Sequence, residues 1–153
     1  MVKILQRMMI GFVAATLVLS AADMLSGTWK LNIAKSKYSP GPAPKSATVT
    51  YSMDGDWVVA KAEGVNAEGK ATSSTNRYRF DGKEYPYKTA IVEGTISVKR
   101  VDDLHTEATI KGGKASITSK AAISKDGKTR TQTQTGTDAQ GKSVHNVVVS
   151  DKQ

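Results

Sequence analysis

Residues 104–123, Leu-His-Thr-Glu-Ala-Thr-Ile-Lys-Gly-Gly-Lys-Ala-Ser-Ile-Thr-Ser-Lys-Ala-Ala-Ile, carry the pattern that decides the fold class. Leu104, Thr106, Ala108 and Ile110 alternate with His105, Glu107, Thr109 and Lys111. Beyond Gly112-Gly113-Lys114 the alternation resumes, with Ala115, Ile117, Ser119, Ala121 and Ile123 on one side. Side chains of a strand point to opposite faces in turn, so period two means one buried and one wet face. A glycine pair between two such runs supplies the backbone freedom of a tight hairpin turn. This stretch is an antiparallel hairpin.

The same grammar extends in both directions. Trp29, Leu31 and Ile33 alternate with Thr28, Lys30 and Asn32, and Ala47, Val49, Tyr51 and Met53 with Thr48, Thr50 and Ser52. Glu68-Gly69-Lys70, Asp81-Gly82-Lys83, Asp126-Gly127-Lys128 and Gln140-Gly141-Lys142 punctuate the alternating runs as hairpin corners. The lysine in each keeps the corner wet and discourages edge pairing. The reading predicts strands over 27–33, 47–53, 56–63, 71–80, 84–89, 94–101, 104–111, 114–124, 129–137 and 143–150. Short links make sequential neighbours, hence an all-β, antiparallel up-and-down meander, with a β-barrel of 8–10 strands expected and a β-sandwich as the alternative. The long connection Ala34 to Ser46, with Pro40-Gly41-Pro42-Ala43-Pro44 at its centre, can neither ladder nor coil. It is expected to arch over one end of the sheet.

Residues 1–22 read as an export signal. Lys3 and Arg7 precede the apolar run Met8 to Leu19, and Ser20-Ala21-Ala22 offers small residues for cleavage after Ala22 or Ala21. The run is shorter than the roughly 20 apolar residues a spanning helix wants. The expectation is a signal helix over 1–22 and a single β-barrel domain over 23–153, in a periplasmic or secreted protein. The chain has no cysteine, so stability rests on ladder bonds and core burial, which a domain of this size supports. Removal of Lys3 and Arg7 takes the formal charge from +8 to +6. The remaining cations are scattered, without the dense basic block and interleaved aromatics of specific nucleic-acid recognition.

Gly27-Thr28-Trp29, at the start of the first strand of such a chain, resembles the opening of lipocalin-like proteins of the wider calycin group. The resemblance implies that Trp29 closes the base of the barrel and that Gly27 lets the chain pack tightly beneath it. It also implies a barrel that holds a small apolar or amphipathic ligand. The C-terminal helix and the Thr-Asp-Tyr-like motif of lipocalins are not visible. The stretch from Ser26 to Ser46, with the later Lys-Asp-Gly-Lys-Thr and Gly-Thr-Asp-Ala-Gln-Gly-Lys segments, is also similar to uncharacterised small secreted bacterial proteins, which bring no activity with them.

No catalytic constellation accompanies the pattern. His105 and His145 are the two histidines, and neither has a spacing that argues for a triad. Asp54-Gly55-Asp56 lacks the further ligands of a calcium loop and reads as a turn. No metal or cofactor motif is present, and none is expected to bind. Two features carry the binding expectation. One is an aromatic group, Trp57, Tyr78, Phe80, Tyr85 and Tyr87, split across Asp81-Gly82-Lys83 and suited either to packing or to gripping a ligand. The other is the run Thr129 to Thr135, polar on both faces, with Thr131 and Thr133 assigned to the wall of a partly polar interior. The expected function is non-enzymatic binding of a small apolar or amphipathic molecule. The alternative is a basic interaction module that meets envelope polymer, anionic membrane or a protein partner through loops bearing Lys35, Lys37 and Lys45.

Overall fold

The computed structural model describes residues 24–153, so the signal helix expected over 1–22 lies outside the described residues. Ten strands follow one another: β1 (Gly27–Leu31), β2 (Ser46–Asp54), β3 (Trp57–Val65), β4 (Ala71–Tyr78), β5 (Asp81–Lys88), β6 (Glu93–Arg100), β7 (His105–Gly112), β8 (Ala115–Ile123), β9 (Thr129–Thr137) and β10 (Ser143–Lys152). They form one antiparallel sheet in the order β4-β3-β2-β1-β10-β9-β8-β7-β6-β5. Only the β1–β10 pairing is non-sequential, and it curls the meander into a barrel.

The barrel stops one ladder short of closure. The chain passes from β4 to β5 through Arg79 and Phe80 alone, yet those two strands share no ladder. The expected hairpin across Asp81-Gly82-Lys83 is therefore corrected. β5 begins at Asp81 rather than at residue 84, and its register against β6 shifts between Asp81 and Glu84. That irregularity spends the turn residues on starting β5 instead of folding it back onto β4.

The connection after β1 is also more ordered than an arch. Ile33–Lys35 makes one 3-10 turn, with the Asn32 side chain accepting from the Lys35 amide. Lys37 then bridges to Val147, and the His145 amide donates to the Ser39 carbonyl. This half of the segment extends the β1 side of β10, and only the proline-rich half reaches across the barrel mouth.

Trp29 is 2% exposed, and its indole N–H donates to the Leu25 carbonyl at 2.7 Å. A buried indole needs that partner. Gly27 stands beneath with φ of +118°, and a Cβ there would meet Cε of Lys152 at 3.0 Å. Lys152 places its ammonium 5.2 Å from the Trp29 ring and donates to the Met24 carbonyl. The tripeptide thus seals the base of the barrel. Leu25, Trp29, Tyr51, Val58, Tyr78, Ile96, Val98 and Ile123 form the buried cluster. Most of these positions lie toward the base ends of their strands, so the buried cluster gathers in the lower barrel.

Candidate functional site

Two adjoining chambers lie one above the other along the barrel axis. The outer one, about 530 Å³, opens between Tyr38, the Pro40–Pro44 segment, Thr89–Val92 and Asp138–Gln140. The inner one, about 210 Å³, reaches down to Tyr78, Phe80 and Leu25. Ala62, Ser74, Tyr87, Ile110 and Gln134 line both. The larger chamber falls within the size range of small-molecule pockets.

The inner chamber has two unlike walls. Tyr78, Phe80, Tyr87, Ile96, Val98 and Ala108 make an aromatic and aliphatic side. Tyr78 and Phe80 meet edge to face, with centroids 6.1 Å apart. Burial raises the phenol of Tyr87 above its usual range. Burial raises that of Tyr78 further, with the Tyr51 phenol adding to the effect and Arg130 opposing it. Both phenols therefore stay protonated and offer neutral hydroxyls. The facing side is polar and belongs to β9: Arg130, Gln132 and Gln134 point inward. The Gln132 amide donates to the hydroxyl of buried Ser119, and Arg130 Nη1 donates to Gln132 Oε1 at 3.0 Å. Nearer the mouth the Asn146 amide donates to Gln134 Oε1 at 3.2 Å.

Arg130 is the sole charged side chain among the described residues lining the inner chamber. Its guanidinium lies 5.5 Å from the Tyr51 ring, and among the described residues no carboxylate pairs with it. The side chain is half-buried and also borders a small pocket at the base with Arg100, Asp102 and Asp103, none of which is in an ion pair with it; a guanidinium without a paired carboxylate is a ready donor to an anion. The inner chamber is lined by no carboxylate and no imidazole among the described residues. What its walls offer is apolar contact, neutral hydrogen bonds and one positive charge.

The gap between β4 and β5 borders the same chamber. Asn76, 9% exposed, bridges it: its amide N–H donates to the Lys88 carbonyl at 3.1 Å, and its carbonyl accepts from the Lys88 amide at 2.8 Å. One side chain thus replaces a missing pair of ladder bonds. Outside the bridge lies a groove of about 510 Å³ bounded by Trp57, Arg77, Tyr85, Pro86 and Lys88. Asn76 and Tyr87 line both this groove and the inner chamber.

The structure divides the residues expected from sequence. Tyr78, Phe80 and Tyr87 line the inner chamber. Trp57 does not. Its neighbour Val58 takes the inward position opposite Tyr78 with no exposed surface, which turns Trp57 out. There the Trp57 ring meets Tyr85 edge-on at 5.2 Å and carries the guanidiniums of Arg79 at 4.4 Å and Arg77 at 5.1 Å. Tyr85 therefore belongs to the outer groove, where its hydroxyl donates to Asp81. Thr131 and Thr133 also lie outside, in a shallow depression with His105, Glu107 and Lys120. They stand opposite Ala122 and Lys120 in the β8 register, whereas Gln132 stands opposite buried Ala121. The polar wall exists, but it is the Arg-Gln-Gln face of the strand and not the threonine face. With both faces polar, alternation shows that the faces differ without saying which is inside.

His105, the first residue of β7, is exposed and is bound through Nδ1 at 2.7 Å to Asp102 in the turn at the base. His145 is exposed on β10.

No family model matches the chain, and no curated protein matches it in sequence. Solved structures match in shape. A zebrafish ileal bile acid-binding protein complexed with cholic acid aligns with a TM-score of 0.59 at 17% identity, over 85% of this chain and 99% of that one. A Schistosoma mansoni fatty acid binding protein in complex with arachidonic acid aligns with a TM-score of 0.62 at 16% identity, over 87% and 98%. The chain shares the antiparallel β-barrel fold of these proteins.

Proposed function

We propose that this protein binds one small amphipathic molecule inside the barrel, with an apolar body against Tyr78, Phe80, Tyr87, Ile96 and Val98 and an acidic group at Arg130. The observation that carries the reading is the Arg130 guanidinium, which has no carboxylate partner in a chamber otherwise lined by neutral groups. A charge-assisted, bidentate contact to a carboxylate or sulfate would satisfy it. The two-walled chamber suits a ligand with distinct apolar and polar sides. Cholic acid and arachidonic acid, held by the two similar barrels, each combine an apolar body with one acidic group. The two chambers share Ala62, Ser74, Tyr87, Ile110 and Gln134, so the tail of such a molecule would continue into the outer chamber. Residues 1–22 would direct the protein out of the cytoplasm, so the ligand would be met in the periplasm or outside the cell.

The test is a titration with a fluorescent long-chain carboxylate and with the matching neutral alcohol. Arg130→Gln should weaken the carboxylate by about 10- to 100-fold, the loss expected for a hydrogen bond to a charged group, and leave the alcohol nearly unchanged. Equal weakening of both, or of neither, would remove the head-group assignment. Native mass spectrometry of protein taken from its own cells should show a co-purifying acidic lipid-like species. Repeatedly empty spectra would count against the binding reading itself.

A further inference from the structure

We infer that the mouth of the barrel is a docking surface for an anionic lipid bilayer. Charge is distributed unevenly along the barrel axis. Connections at the mouth (32–45, 66–70, 89–92, 113–114, 138–142) carry Lys35, Lys37, Lys45, Lys70, Lys114 and Lys142 against Glu68 and Asp138. Connections at the base (55–56, 79–80, 101–104, 124–128) carry Asp56, Asp102, Asp103 and Asp126 against Arg79, Lys125 and Lys128. All six mouth lysines are exposed, and among the described residues none is in an ion pair. A field of unpaired cations at one end orients the molecule toward a negative surface.

Apolar groups stand among those cations. Ile91 is 76% exposed, the most exposed of the large hydrophobic side chains. It is presented by a built turn: the Thr89 amide donates to the Val92 carbonyl, and the Thr89 hydroxyl accepts from the amides of Ile91 and Val92. Ala90, Pro40 and Pro42 are exposed on the same rim. A soluble polyanion would reward the lysines alone. A bilayer rewards both, since lysines meet headgroups while a short apolar tip enters the headgroup–acyl boundary. The same rim frames the entrance to the outer chamber, so docking would put the cavity against the source or sink of an apolar ligand. The inference stands on rim charge and exposure, independently of what the inner chamber holds.

Flotation of the full-length chain, and in parallel of a chain starting at Asp23 that lacks the apolar segment 8–19, tests it. The vesicles are phosphatidylcholine alone and phosphatidylcholine mixed with phosphatidylglycerol. The chain starting at Asp23 should bind the mixed vesicles, bind phosphatidylcholine weakly, and be released as salt rises. Lys37→Glu with Lys45→Glu and Lys70→Glu should cut binding at least tenfold, from about fivefold per lysine near an anionic surface. Ile91→Asp should cut it several-fold, and Lys125→Glu with Lys128→Glu at the base should leave it unchanged, with unaltered circular dichroism throughout. Binding that ignores Ile91→Asp and is competed off by soluble polyphosphate would mark a polyanion site and overturn the proposal. Equal loss from the base variant, or no preference for the anionic vesicles, would overturn it as well.

Discussion

The Asn76 side chain and the Lys88 backbone are joined by two hydrogen bonds, 3.1 and 2.8 Å long, across the one place where neighbouring strands of the barrel share no ladder. Asn76 uses one amide N–H and its carbonyl oxygen, the same donor and acceptor pair a facing backbone would offer. The bridge keeps the Lys88 amide and carbonyl satisfied at the edge of the cavity without closing the sheet. Its neighbour Tyr87 is part of the cavity wall. Removing the bridge should therefore be felt in both stability and wall rigidity. Asn76→Leu, close in size, leaves both Lys88 groups unpartnered and should cost about 1–3 kcal/mol in denaturant unfolding. Hydrogen exchange at the Lys88 amide should accelerate in the same variant, and an unchanged exchange rate would show that the bridge is not what protects it.

The cavity wall assignment separates residues that lie on one strand. Thr131→Val with Thr133→Val changes only the outer face of β9. It should leave ligand affinity unchanged and stability within about 0.5 kcal/mol. Phe80→Ala, on the apolar wall, should weaken a bound acidic lipid in the same titration, and Trp57→Ala should not.

Trp29 makes a second prediction at the base. Trp29→Ala removes the largest buried side chain and its hydrogen bond to the Leu25 carbonyl. Substitutions of this kind cost about 3–5 kcal/mol, enough to threaten the fold. Trp29→Phe keeps most of the packing and isolates the indole N–H, so its smaller loss reads that bond directly.

Gly94 tests how closely β6 and β7 approach. A Cβ on Gly94 would fall on the Lys111 carbonyl oxygen and crowd Gly112. Gly94→Ala must push the two strands apart where backbone faces backbone, and should cost at least about 1–3 kcal/mol. Thermal unfolding would measure it. Gly82→Ala is a poor control because of its positive φ, although nothing lies within 4 Å of its Cβ position.

Alkaline pH should destabilise the barrel through its buried phenols. Burial raises the pKa of Tyr78 and Tyr87 above the unfolded value. A group whose folded pKa is raised contributes stability that is complete below the unfolded value, about 10 for tyrosine, and is lost as pH rises beyond it. Above that point the unfolded chain releases protons that the folded chain holds. Unfolding free energy should therefore fall with pH above about 10, and Tyr78→Phe should flatten the fall. A phenolate signal that grows in the intact fold at the usual tyrosine pH would contradict the burial assignment.

Alternation along 104–123 and its echoes, with the glycine–lysine corners, determined the class of fold, nearly all of the strands and the meander order. Side-chain period and turn chemistry are local properties, so they are written in consecutive residues. The resemblance of Gly27-Thr28-Trp29 to the opening of lipocalin-like proteins implied the sealed base. The sequence also supplied three of the cavity aromatics, Tyr78, Phe80 and Tyr87. It did not show that Trp57 and Tyr85 sit in the outer groove, or that Arg130, Gln132 and Gln134, rather than the threonines between them, form the polar wall. Those depend on which neighbour a strand meets and in what register, and a shift of one residue exchanges every face. The missing β4–β5 ladder, the Asn76 bridge and the gathering of unpaired lysines around one mouth likewise exist only once distant segments are brought together. Tertiary closure decided them, because it alone sets which ends of ten strands share a rim.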